Sequence, residues 1–281
     1  MNYRCFSVAG VMFALVAWAG SAAQAAELPL KVFVLIGTSN MMGFGGKVGQ
    51  LPADLKQPQK DVLVYQDGAW LLLNPGKWNQ AGPEHSFAQA MVKYFGEPIG
   101  IIKVVKSLKK GDTKRGPETL AVLWSPDDPQ SRYAQLVQLV KDANKDRPIV
   151  ITGILWDQSG RDTMKEETAK SYQKNLIHLI ERFRRDFGNP VLPFVCALDN
   201  THPGNPAKFP YMDVIRKAQT AIDLPAYRTF DQNDLPRVMD SAKEDDQKHN
   251  DHFTTAGEVE SGKRYAAAMI DLMNHAKGMA H

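Results

Sequence analysis

Apolar residues fall along this chain in short continuous runs, separated by longer stretches with helical periodicity. The first run, residues 32–36, is five apolar residues closed by Gly37. A run of that length ending in a turn residue predicts a strand buried on both faces, as in a parallel sheet. Further runs at 98–105, 149–156, 191–198 and 227–231 predict four more strands. Between them, periodic stretches predict helices over 84–95, 133–144, 165–187, 211–222 and 257–273. The clearest stripe is Tyr172, Leu176, Leu179, Ile180, Phe183 and Phe187. Ser131 and Thr254 or Thr255 stand where N-caps belong. Residues 61–66 and 69–73, joined by Asp67-Gly68, predict a hairpin. Strands alternating with helices predict an α/β fold, a three-layer αβα sandwich around a mostly parallel five-stranded sheet. No internal repeat, low-complexity tract or interdomain linker interrupts it, so residues 26–281 read as a single domain.

The first 25 residues break this pattern. Arg4 precedes an apolar stretch at 8–18, and Ala23-Gln24-Ala25 has the form of a cleavage site. This predicts a signal peptide, a mature start near Ala26, and export to a periplasm or the exterior. The apolar run is too short to span a bilayer comfortably. Loss of Arg4, the one charged residue of that segment, takes the formal net charge from +3 to about +2. So balanced a chain offers no case for nucleic acid or a membrane surface as partner. Of the two cysteines, Cys5 leaves with the signal peptide. Cys196 lies inside an apolar run and reads as a buried structural thiol.

Polar groups collect just after the strands. Ser39 and Asn40 follow the first, Asp157 and Gln158 the third, and Asp199 to His202 the fourth, while Asp251-His252 precedes the last helix. In open α/β sheets ligands sit beyond the carboxyl ends of the strands, so these groups can converge. Ser39 with His252 has the makings of a nucleophile and its base. The Ser39 backbone and the Asn40 and Gln158 amides can face a developing oxyanion. The local pattern equally allows Ser39 or Asn40 to be a helix N-cap. The basic loop 106–114 reads as solvated surface. His249 and His252 stand three residues apart near Asp245 and Asp251, but neither a cysteine cluster nor an HExxH motif accompanies them. No phosphate-binding P-loop or dinucleotide fingerprint is present.

Taken in order, several blocks go beyond periodicity. Val32-Phe-Val-Leu-Ile-Gly-Thr-Ser-Asn-Met-Met-Gly43 resembles the nucleophile block of the sialate O-acetylesterase branch of the SGNH hydrolases, a branch that includes the family-six carbohydrate esterases. Gly82-Pro-Glu-His-Ser-Phe87, Glu97 to Lys103, Gly153-Ile-Leu-Trp-Asp-Gln158 and Asp251-His-Phe-Thr-Thr-Ala-Gly257 resemble its later blocks. The resemblance spans essentially the whole mature chain. It implies a flavodoxin-like SGNH fold and a serine esterase acting on an acetylated carbohydrate, without metal or organic cofactor. It makes Ser39 the nucleophile, His252 the general base, and Asn40 and Gln158 substrate- or oxyanion-facing groups. The family's glycines after the second strand are replaced by Lys106-Ser107-Leu108, leaving Ser107 as the candidate donor there. Thr38 replaces a glutamine, Asp157 a histidine, Gly160 a glutamate, and His249 the usual aspartate three residues before the catalytic histidine. Asp251 is the candidate acid, with Asp246 and Asp157 as alternatives. These changes also admit a second reading, a carbohydrate-binding relative that has lost turnover. Trp70, Trp78 and Trp124 are candidates for stacking on sugar, with packing as the competing role.

Overall fold

The computed structural model describes residues 28–77, 80–105, 118–158, 160–198, 207, 209–238 and 252–278. The expected signal peptide lies outside these residues. Strand β1 (Leu30–Gly37) occupies the middle of the sheet because almost every side chain on both of its faces is buried. It pairs in parallel with β4 (Ile99–Val104) on one side and β5 (Ile149–Asp157) on the other. Beyond β5 lie β6 (Phe194–Ala197) and β7 (Tyr227–Phe230), both parallel. Beyond β4 lies β2 (Gln59–Gln66), also parallel, and β3 (Ala69–Leu73) closes that edge antiparallel to β2.

The sheet therefore has seven strands, in the order β3-β2-β4-β1-β5-β6-β7, rather than the five expected from the apolar runs. The two extra strands are the predicted hairpin. Its first arm places Val62 to Val64 beside Ile99 to Ile101, so it extends the sheet rather than standing apart. That docking buries Val62, Val64 and Leu73, while Leu71 and Leu72 stay exposed on the edge strand.

Alternation along β1 divides the core in two. Val32, Val34 and Ile36 face α4 (Arg132–Asp146) and α5 (Glu166–Asp186), which contribute Leu136, Tyr172, Leu176 and Phe183. Phe33 and Leu35 face α2 (Glu84–Phe95) and α7 (Thr255–Gly278), which contribute Phe87, Met91, Tyr265 and Met269. The Ser131 hydroxyl accepts a hydrogen bond from the Ala134 N–H, the cap read from the sequence. Cys196 is buried in β6. Helix α6 (Met212–Thr220) packs beside α5. With β1, β4, β5, β6 and β7 all parallel, their carboxyl ends share one edge, and the polar tips are gathered there.

Candidate active site

Beyond Gly37 the chain makes a single helical turn, α1 (Ser39–Met42). The capping position belongs to Thr38, whose side chain makes no cap hydrogen bond. Ser39 is thus the first helical residue and not an N-cap, which removes the structural alternative for its hydroxyl. The turn closes on itself: the Gly43 N–H donates to the Asn40 carbonyl at 2.8 Å and the Phe44 N–H to the Ser39 carbonyl at 3.0 Å. Gly43 has φ +83°, and a Cβ there would lie 2.4 Å from the Gly82 nitrogen, so only glycine lets the turn sit on the Gly82-Pro83 segment. At the sheet, the Thr38 N–H donates to the Asp157 carbonyl at 3.0 Å, which ties the tips of β1 and β5 together.

His252 reaches the same turn from the far end of the chain. A Cβ on Gly45 would lie 3.2 Å from the His252 Cβ and 2.2 Å from the Phe253 carbonyl oxygen, so this glycine is the gap through which the histidine segment approaches. The Phe44 and His252 rings are 4.6 Å apart between centroids and inclined by 40°. The histidine segment is held by a short antiparallel strap: the Val238 N–H donates to the His252 carbonyl and the Thr254 N–H to the Pro236 carbonyl, each at 2.9 Å. The Thr255 hydroxyl accepts the Lys47 N–H at 2.9 Å, fixing the start of α7 to the loop that follows the serine turn.

The remaining candidates are placed as follows. Asn40 lies in α1, and its Oδ1 is buried with no hydrogen-bond partner among the described residues. Gln158 is almost fully buried. Its Oε1 accepts the Trp124 indole N–H at 2.5 Å, its Nε2 donates to the Glu118 carbonyl at 3.5 Å, and its own carbonyl accepts the Tyr172 hydroxyl at 2.6 Å. An amide carries two N–H donors, and the Glu118 carbonyl takes one of them. Trp124 is fully buried and is therefore an anchor for Gln158 rather than a sugar platform. It stands at the end of α3 (Leu120–Leu123), which Asp162 holds by accepting the Leu120 N–H. Trp70 donates to the Ala143 carbonyl at 3.3 Å and packs on Tyr65, again a structural role. The Asp157 carboxylate accepts from Gln232 Nε2 at 3.3 Å. Ser107, Asp245, Asp246, His249, Asp251, Trp78, and Asp199 to His202 lie outside the described residues.

Beneath the serine turn lies a buried group of ionisable side chains that the apolar pattern did not reveal. Lys103, in β4, pairs with Glu84 at 2.6 Å, and both side chains are almost or wholly inaccessible. Glu84 also accepts the Gly82 N–H at 3.3 Å, and Lys103 Nζ lies 3.5 Å from the Met42 carbonyl at the end of α1. Burial raises the Glu84 pKa, but the charge and hydrogen bond of Lys103 outweigh it and hold the carboxyl below its usual value. Burial lowers His85 against the pull of Glu84, keeping the ring neutral. Glu258, in the first turn of α7, is fully buried, and neither carboxyl oxygen has a hydrogen-bond partner among the described residues. Burial first, then the charge of Glu84, pushes its pKa well above the usual value, so it is held as the neutral acid. The sequence signal for Lys103 was a charged residue inside an otherwise apolar strand.

A stability prediction follows from Glu258. The folded protein keeps a proton on Glu258 that the unfolded chain releases near pH 4.3. Stability therefore falls as pH rises from about 4.3 through the higher folded pKa, and the loss is complete above it. Glu258→Gln removes that loss. Its melting temperature is expected to match wild type near pH 4 and to exceed it at pH 9, by about 2–4 °C per kcal/mol of relieved ionisation cost. Thermal melts of the two proteins across that pH range test this; parallel curves would show that Glu258 does not titrate in the window.

Comparison with known proteins bears on the same architecture. The sequence profile of the family described as carbohydrate esterase, sialic acid-specific acetylesterase matches residues 29–271. A probable carbohydrate esterase from Arabidopsis thaliana is 24% identical over 266 residues, which cover 86% of this chain and 91% of that protein. Its crystal structure superposes with a TM-score of 0.68, covering 86% of this chain and 98% of that one. The crystal structure of NanS superposes at 0.63 with 16% identity, covering 88% and 98% of the two chains. A carbohydrate acetylesterase from Xanthomonas citri superposes at 0.59 with 18% identity, covering 85% of this chain and 55% of that one. The structural likenesses establish a shared αβα fold, and the profile match runs from β1 through most of α7, across both the Ser39 turn and the His252 segment. The chain therefore belongs to the carbohydrate esterase family of sialic acid-specific acetylesterases.

Proposed function

We propose that this protein is an exported serine esterase that removes O-acetyl groups from a carbohydrate through an acetyl-enzyme on Ser39. The observation that carries this reading is the approach of His252, through the gap at Gly45, to the turn that presents Ser39. Ser39 Oγ attacks the acetyl carbonyl carbon, and the imidazole of His252 takes the hydroxyl proton. The Ser39 backbone N–H, Asn40, the second N–H of Gln158 and Ser107 are the donors for the oxyanion. Collapse breaks the bond to the sugar oxygen, which leaves with the proton held by His252. Water, deprotonated by the same histidine, then releases acetate and frees Ser39. Asp251 is the candidate carboxylate for orienting the imidazole in this scheme, with Asp246 and Asp157 as alternatives. No step calls for a metal or organic cofactor. The acetylated sugar is the substrate, with neither nucleic acid nor membrane as partner, and the signal-like first 25 residues supply the export.

A fluorophosphonate probe tests the central claim. The mature protein is expected to gain one adduct, mapped by peptide mass spectrometry to the peptide holding Ser39, and to lose p-nitrophenyl acetate hydrolysis in step. Carbohydrate binding without adduct or turnover would instead favour the non-catalytic relative.

A further inference from the structure

Phe44 is the one aromatic side chain among the described residues that is largely exposed, at 53% of its accessible area. It does not lie on a remote surface. Its backbone N–H donates to the Ser39 carbonyl at 3.0 Å, and one part of its ring lies against His252. The turn that carries it is closely packed, since Gly43 and Gly45 seat it on the Gly82 segment on one side and the histidine segment on the other. An apolar ring left half in water at a fixed place beside a catalytic pair is an unfilled contact. Two of the three tryptophans that could have stacked on a sugar are committed elsewhere: Trp124 is buried against Gln158, and Trp70 holds α4, while Trp78 lies outside the described residues.

We infer that Phe44 is a specificity-determining residue whose exposed face stacks against the apolar C–H face of the pyranose ring bearing the acetyl ester. This rests on the esterase reading above. A planar ring sets a sugar by its C–H face and leaves the hydroxyl rim free to turn the ester toward Ser39. Such contact acts on binding and orientation of ring-bearing substrates and gives nothing to an acyclic ester. Because Phe44 also touches His252, the informative quantity is the ratio of kcat/KM for a ring-bearing ester to that for ethyl acetate, in which any effect through the imidazole cancels.

The ratio of kcat/KM for mono-O-acetyl methyl β-xylopyranoside to that for ethyl acetate is measured for wild type, Phe44→Leu and Phe44→Trp. Phe44→Leu is expected to lower it roughly five- to tenfold, mostly through KM, and Phe44→Trp to keep or raise it. An unchanged ratio in Phe44→Leu would overturn the inference, including the case where both rates fall together because the ring only positions His252. A second readout does not need turnover. On the Ser39→Ala background, saturation-transfer NMR with the same acetylated xyloside is expected to show ring C–H protons in contact, lost on adding Phe44→Leu. Contact without turnover in the wild type would sink the esterase reading and keep the stacking role. Absence of contact alongside normal turnover would do the reverse.

Discussion

Ser39→Ala is expected to lower kcat/KM for an acetyl ester by about five to six orders of magnitude, and His252→Ala by a similar factor. The double variant should be no slower than either single one, because a nucleophile and its base act as a unit. The structure makes the serine test clean. The Ser39 hydroxyl caps nothing, since Thr38 holds the capping position and α1 closes through backbone bonds alone. Removing one oxygen should therefore leave the melting temperature within about 1–2 °C of wild type, the scale of a few tenths of a kcal/mol for a surface change. A large loss of rate with an unchanged melt assigns the hydroxyl to chemistry. Rates that fall only with stability would return Ser39 to a structural role. Asp251→Asn should be milder, at roughly four orders or fewer, since an orienting carboxylate sets the tautomer without touching substrate.

The parts of this picture that were legible in the sequence are those that repeat. The strands of a parallel sheet are apolar on both faces, so Leu30–Gly37 and Ile149–Asp157 stand out against any background. Their parallel order then brings Ser39 and Gln158 to one edge by topology alone. The hairpin was visible as a hairpin, yet its place in the sheet was not. Two short strands carry no local sign of what they pair with, and the pairing of Val62 with Ile99 is a long-range fact. Trp124 could be read either as a sugar platform or as packing, because an aromatic residue in a polar loop reads the same exposed or buried. Only the packing of α3 against α5 shows it turned inward onto Gln158. The buried ion pair was hidden for a related reason. Lys103 interrupts an otherwise apolar strand by one residue, and its partner Glu84 comes from the start of a helix whose exposure periodicity does not settle.

Lys103→Met is expected to be the most destabilising single change in the site, at about 3–5 kcal/mol, because it strands the Glu84 carboxylate in the interior. At 2–4 °C per kcal/mol this is a drop of roughly 6–20 °C in melting temperature. The pH dependence has the opposite sign to that of Glu258. The folded pKa of Glu84 is depressed, so its contribution is present above about pH 4.3 and is lost as pH falls through the lower folded value. Wild type and Lys103→Met should therefore converge in acid. Glu84→Gln should cost less than Lys103→Met. Glutamine keeps an acceptor for the Gly82 N–H, and the loss of the Glu84 charge removes the repulsion that helps hold Glu258 neutral. Glu258 can then ionise and take over as the counter-charge for Lys103, an option Lys103→Met does not have. The double variant Glu84→Gln/Lys103→Met should recover much of the stability, since removing both charges leaves no ion to desolvate. Its esterase rate should stay below wild type, because the contact from Lys103 to the Met42 carbonyl at the end of the Ser39 turn is gone. Recovery of the melt without recovery of kcat would assign the pair to holding the nucleophile turn. Recovery of both would assign it to stability alone.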